Sequence, residues 1–147
     1  MTMPAGKYYI GDLCYVMTPQ EWEEFCTITN SEGDKCLDGE FQFEDGRRFA
    51  TYDTKFGDGT YYDQYGHSYS VDAGLIGCIR IEDIRAHKYD NLLDLGAVVD
   101  INEDFETSGG KGTPDWDGAI IFDLFEIETE QQTEQQKEYE WEPDLYQ

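Results

Sequence analysis

Positive charge is scarce in this sequence: 10 Lys and Arg stand against 33 Asp and Glu, a formal net charge of −23. A surface this negative repels a polyanion and has few cations with which to release counterions. That argues against direct DNA or RNA binding through phosphates and against docking on anionic membranes. It favours a basic surface on a partner protein, approached quickly under electrostatic steering. Long apolar runs are also missing. None approaches the roughly 20 residues of a membrane-spanning helix. Met1 to Gly11 holds one Lys and lacks the apolar stretch of a secretory leader. The expected location is cytoplasmic.

Motifs that announce chemistry are absent too. There is no G-x-S-x-G, Walker or dinucleotide fingerprint, and the two histidines, His67 and His87, lie near no recognisable nucleophile motif. Cys14, Cys26, Cys36 and Cys78 contain no C-x-x-C, so a zinc ribbon or thioredoxin motif is not supported. A zinc site would have to draw on all four dispersed thiolates. In a reducing compartment, buried thiols are the simpler expectation. With 33 acids, chance carboxylate pairs carry no specificity for a glycosidase. No catalytic residue and no cofactor is assigned.

Aromatics are plentiful: 8 Phe, 11 Tyr and 3 Trp, enough to build a core that an acidic disordered chain would lack. The clearest local signal is M-T-P-Q-E-W-E-E-F-C. Thr18 is placed as N-cap, Pro19 at N1 and Glu21 at N3 of a capping box, with Met17 stapled onto Trp22. This predicts a helix from Pro19 to about Thr27 that covers a sheet. Strands are predicted from Lys7 to Val16 with an interruption near Gly11-Asp12, and in a hairpin from Glu40 to Tyr52 with Asp45-Gly46 in a tight primed turn. A second hairpin spans Thr60–Tyr65 and His67–Val71. Ala73–Ile81 reads as a central strand buried on both faces, and Gly96–Ile101 and Ala119–Thr129 as further strands. Leu92, Leu93 and Leu95 are candidates to cap the core from a helical turn. The predicted fold is mainly β (α+β): an antiparallel β-sandwich or partly open barrel with one short capped helix. Residues 1–129 form the domain. Residues 130–147 form an acidic, aromatic tail.

Three features invite a functional reading. Asp53, Asp58 and Asp63 surround a glycine loop, and Asp115 and Asp117 precede Gly118, a supply of oxygens that suits Ca²⁺. Ordinary turn chemistry places Asp and Gly in the same way. Tyr61, Tyr62, Tyr65, His67 and Tyr69 crowd one hairpin, where Tyr65, His67 and Tyr69 would line a concave aromatic surface or simply pack across strands. In the tail, Glu130, Glu134, Glu138 and Glu142 recur every four residues. On a helix that is one acidic stripe with about 6 Å between neighbours, close to two phosphate steps of a DNA strand at ~3.4 Å each. Extended, the tail sets Tyr139 and Trp141 on one face as apolar anchors for docking. As a solvated tail it would only keep the chain soluble.

The blocks Y-Y-I-G-D-L-C-Y-V, E-W-E-E-F-C, F-G-D-G-T-Y and V-D-A-G-L-I-G resemble a group of small phage-encoded and bacterial proteins. These share a G-D-P-C-Y-V start, a W-x-x-F-C helix, a G-D-G-x-Y loop and a V-D-x-G-x-I-G strand. The resemblance covers roughly residues 7 to 81 and, more weakly, Gly96 to Thr129, with Leu13 where the group usually has Pro and no counterpart to the acidic tail. It assigns no activity. What it implies is a viral accessory origin, in which small acidic proteins often block a host protein. The combined expectation is a non-enzymatic inhibitor of phage type, acting against host defence as a nucleic-acid mimic. It would occupy a basic nucleic-acid-binding surface through Glu103, Asp104 and Glu106 and through the tail residues Glu130, Glu134, Glu138, Tyr139, Trp141 and Glu142. The alternative is a Ca²⁺- or small-ligand-binding β domain.

Overall fold

The computed structural model of the chain describes residues 2–29, 38–54, 57–86, 92–109 and 119–129. Two five-stranded antiparallel sheets face one another. The first has the order β2-β3-β6-β1-β7, built from β1 (Gly6–Gly11), β2 (Gly39–Gln42), β3 (Arg48–Asp53), β6 (Leu75–Arg80) and β7 (Ala97–Ile101). The second has the order β5-β4-β10-β9-β8, built from β4 (Gly59–Asp63), β5 (Ser68–Val71), β8 (Thr107–Ser108), β9 (Ala119–Phe122) and β10 (Phe125–Glu128). One helix, α1 (Pro19–Ile28), accompanies them. The strands fall into two separate sheets that share no strand and pack on one core, the sandwich form of the expected mainly β fold.

The first sheet is the middle layer, because its strands are apolar on both faces. Along β6, Ile76 and Cys78 point into the core between the sheets, with Tyr8, Tyr52, Tyr61, Tyr69, Phe122 and Ile127. Leu75 and Ile79 point the other way, into a second core with Phe49, Phe43 and Phe25 of α1. Each such fully buried side chain contributes about 1.5–3 kcal/mol relative to exposure. This two-sided burial is why Ala73–Ile81 reads as a continuous apolar run. Gly77 serves the same packing, since a Cβ there would meet the Ala50 carbonyl oxygen at 2.2 Å and Leu13 Cδ1 at 2.8 Å.

The helix forms where its caps predict. Glu21 N–H donates to Thr18 Oγ1 at 3.1 Å and Thr18 N–H donates to Glu21 Oε1 at 3.0 Å, the reciprocal pair of a capping box. Trp22 stacks on Phe25 with centroids 4.7 Å apart, and Phe25 meets Phe49 of the sheet at 5.2 Å. The interruption after Gly11 is a 3-10 turn, Leu13–Tyr15, capped by the Asp12 side chain. Leu92 and Leu95 do pack on the helix-side core, whereas Leu93 is 54% exposed.

Two turns depart from expectation. Asp45-Gly46 is not a two-residue primed turn. Phe43 N–H donates to the Arg47 carbonyl, Gly46 N–H donates to the Phe43 carbonyl, and Gly46 adopts φ +101°. This is a three-residue loop whose glycine takes the left-handed position. The β4–β5 connection repeats it, with Gly66 N–H donating to the Asp63 carbonyl and φ +82° at Gly66. The stretch predicted as one strand from Ala119 to Thr129 is a hairpin. Phe122 pairs with Phe125 across Asp123-Leu124, and Asp123 has φ +56°. Asp tolerates that conformation, so the chain reverses without the glycine that would have signalled it.

Candidate functional site

The acidic loop of residues 102–106 runs from β7, an edge strand of the first sheet, to β8, an edge strand of the second. Glu103, Asp104 and Glu106 are all exposed. Their placement is fixed from below by Phe105, which is 5% exposed. Its backbone bonds Met3 at 2.8 and 2.9 Å, and its ring meets Tyr8 edge-on at 5.1 Å. Asp104 Oδ1 accepts the Ala5 N–H at 2.9 Å. The loop therefore presents its carboxylates on an anchored segment. Glu130, Glu134, Glu138, Tyr139, Trp141 and Glu142 lie outside the described residues.

Charge is divided between the layers. The Lys and Arg among the described residues are Lys7 on β1, Arg47 and Arg48 at β3, Arg80 on β6 and Arg85. Arg47 pairs with Glu21 and Asp45, and Arg80 with Glu82 and Asp83. The five strands of the second sheet and the Asp123-Leu124 turn contain no Lys or Arg, while Glu126, Glu128 and Asp123 there are exposed. The outer face of that sheet thus holds negative charge with no cation on its own strands. Residues 56–79 and 112–136 contain no Lys or Arg, but neither do residues 8–34, which take in most of β1 and all of α1, so the sequence alone does not mark the second sheet.

The tyrosine hairpin divides differently from the predicted concave surface. Tyr61 and Tyr69 face each other across β4 and β5 and are buried between the sheets. His67 meets Tyr69 edge-on at 5.4 Å, whereas Tyr65 sits in the turn, 72% exposed. Tyr65, His67 and Tyr69 therefore do not share a face. Burial pushes the Tyr69 phenol well above its usual range, helped by its bond to Asp63. Among the described residues, three of the four exposed large apolar side chains are Tyr62 on β4, Tyr65 in the β4–β5 turn and Leu124 in the β9–β10 turn. Sequence reasoning did not single out Leu124, because the β9–β10 turn carries no glycine.

Of the loop aspartates, Asp63 is engaged in the β4–β5 turn, and Asp115 and Asp117 lie outside the described residues. Asp63 Oδ1 accepts from Tyr65 N–H at 2.9 Å and His67 N–H at 3.0 Å, and its Oδ2 accepts from Tyr69 Oη at 2.7 Å. Asp53 lies on β3, and Asp58 is exposed just before β4. No group of three or more His, Cys, Asp or Glu able to hold a metal ion occurs among the described residues. Cys78 lies in the core between the sheets, while Cys14 and Cys26 pack on the opposite side of the first sheet. Those three thiols cannot share one zinc.

The resembling blocks meet at a buried carboxylate. Asp12 is fully buried at the end of β1. Its Oδ1 accepts from Cys14 N–H at 2.9 Å, and its Oδ2 accepts from the N–H groups of Asp72 at 2.8 Å and Ala73 at 2.6 Å. Tyr15 Oη donates to Asp72 Oδ2 at 2.6 Å. Burial raises the Asp12 pKa against the pull of those backbone donors. G-D-L-C-Y and V-D-A-G are therefore two halves of one structural tie.

The fold and surface together define an acidic antiparallel β-sandwich with a cation-free outer sheet among its described residues. Comparison with protein-family models, with curated proteins and with solved structures returns no match.

Proposed function

We propose that the chain is a non-enzymatic acidic binding protein of phage type. It blocks a basic, nucleic-acid-binding surface of a host or defence protein by imitating a polyanion. The observation that supports this reading is the distribution of charge among the described residues, where Lys7, Arg48 and Arg80 lie on strands of the helix-covered sheet and no Lys or Arg lies on a strand of the second. Glu126 and Glu128 alternate on β10, about 6.8 Å apart from the strand rise, which matches two ~3.4 Å phosphate steps. Glu103, Asp104 and Glu106 extend the charge on an anchored loop. The Ca²⁺-binding alternative finds no donor set among the described residues.

The test titrates the full chain into host DNA- and RNA-binding proteins that hold a labelled duplex. Release of the duplex from at least one of them, weakening between about 50 and about 200 mM salt, is expected. A triple variant Glu103→Gln, Asp104→Asn, Glu106→Gln should release it roughly tenfold less effectively at low salt. Retention of every duplex at both salt concentrations rejects the reading.

A further inference from the structure

The tips of two neighbouring hairpins are tied to each other by hydrogen bonds. Gln64, in the β4–β5 turn, donates through Nε2 to the Leu124 carbonyl at 2.5 Å, and its N–H donates to the Glu126 carbonyl at 3.2 Å. Its Oε1 accepts from Glu126 N–H at 2.9 Å. Asp63 fixes the same turn from inside by accepting the Tyr65 and His67 N–H groups. On this frame Tyr65 is 72% and Leu124 73% exposed. The Tyr65 ring rests edge-on against Phe125, centroids 6.2 Å apart, and Phe125 is seated on the core between the sheets. Asp123 and Glu126 flank the patch, both exposed.

An exposed aromatic held at one edge on a hydrogen-bonded turn, beside an exposed aliphatic side chain, offers the apolar contact of an interface anchor. Its charge decides what fits. The flanking groups are carboxylates, and no Lys or Arg lies on β4, β5, β9, β10 or the two turns. A second copy of the chain would bring the same charge to the same place, and a nucleic acid would bring phosphates. We infer that the Tyr65–Leu124–Phe125 tip docks a protein segment in which Lys or Arg residues flank an apolar side chain. The apolar group would lie against Tyr65 and Leu124, and the cations against Asp123 and Glu126. This inference deepens the proposed function by naming the anchor through which the acidic protein grips its basic partner.

Two short peptides of equal charge test it, Lys-Leu-Lys-Phe-Lys and Lys-Ser-Lys-Ser-Lys, titrated into the full chain with amide shifts recorded. The apolar peptide should bind about tenfold more tightly than the serine peptide and move the amides of residues 64–66 and 123–126. In the Tyr65→Ala/Leu124→Ala double variant that preference should vanish while serine-peptide binding stays unchanged. Both side chains are exposed, so an unaltered circular dichroism spectrum is expected and confirms folding. Equal affinity for the two peptides, no binding of either, or a preference that survives the double variant overturns the inference. The two readings fail separately. Peptide discrimination without duplex release leaves the tip standing and removes the nucleic-acid mimic. Duplex release that is identical in the wild type and the double variant does the reverse.

Discussion

Arg47 closes an ion pair with Glu21 that joins the β2–β3 turn to the first turn of α1, with the two side chains only 11% and 10% exposed. The same guanidinium donates to the Asp83 carbonyl at 2.9 Å and to Asp45 Oδ2 at 2.8 Å, and lies 4.7 Å over the Phe43 ring. Three separate segments are thus held by one side chain. Glu21 meanwhile serves as the returning half of the capping box.

Removing Arg47 therefore leaves a largely buried carboxylate without its counter-ion. Arg47→Ala should destabilise the fold by about 2–4 kcal/mol, near the range for breaking a buried pair. Asp45→Ala, whose carboxylate is 53% exposed, should cost less than about 1 kcal/mol. Urea unfolding of the two variants checks the ordering. Equal losses would mean that the exposed pair does as much as the buried one.

Thr51 offers the opposite opportunity. It lies on β3 between Gly39 and Gly77, and its Oγ1 is buried without a hydrogen-bond partner among the described residues. An unmet buried hydroxyl costs about 1–3 kcal/mol. Thr51→Val keeps the shape and β-branching while removing that polar atom. Stability should rise by roughly 1 kcal/mol, read as a higher urea midpoint at unchanged slope. A fall would show that the hydroxyl has a partner in the native state.

Two glycines separate close packing from backbone conformation. At Gly77 an added methyl would sit 2.2 Å from the Ala50 carbonyl, inside a central sheet that cannot yield. At Gly66 the space is open, but φ is +82°. Gly77→Ala should cost more than about 3 kcal/mol through overpacking, and Gly66→Ala only about 1 kcal/mol through backbone strain. Comparable costs at both positions would contradict the close approach at Gly77.

These residues also show where the sequence is legible. The helix was readable because its signals are local: Thr18, Pro19 and Glu21 act on backbone groups within one turn. The central strand was readable because burial on both faces writes itself as an unbroken apolar run. The β9–β10 hairpin was not, since Asp123 enters the left-handed region without a neighbouring glycine. The three-residue turns kept their Asp and Gly but shifted their positions, because the turn type is set by the pairing of Phe43 with Arg47 and of Asp63 with His67. At the candidate site, the exposure of Glu103, Asp104 and Glu106 agrees with their polarity. The exposed tip was hidden, because Tyr65 and Tyr69 look equivalent until the turn at Gly66 turns one outward and leaves the other in the core. The Lys- and Arg-free stretches were visible as letters. Their meaning needed the strand order, which puts β4, β5, β9 and β10 in one sheet and β6 in the other.

The buried phenols predict an alkaline limit to stability. Burial pushes the Tyr52 pKa up to about 12, and raises those of Tyr8, Tyr9, Tyr15 and Tyr69 further. An unfolded tyrosine ionises near about pH 10. The folded state therefore holds these protons where the unfolded chain has released them. Their contribution is fully present below about pH 10 and falls as the pH climbs from there, the part due to Tyr52 being lost through about 12 and that of the other four continuing to fall above it. Unfolding followed by circular dichroism should show a steep fall over that window, with tyrosinate absorbance rising in step. Tyr9→Phe gives up the 3.0 Å bond from Tyr9 Oη to the Asp12 carbonyl, about 1 kcal/mol at neutral pH. It removes one of the groups that must ionise, so its alkaline midpoint should move upward despite the lower starting stability. A midpoint that moves downward in proportion to that loss would show that Tyr9 ionisation has no part in the alkaline transition.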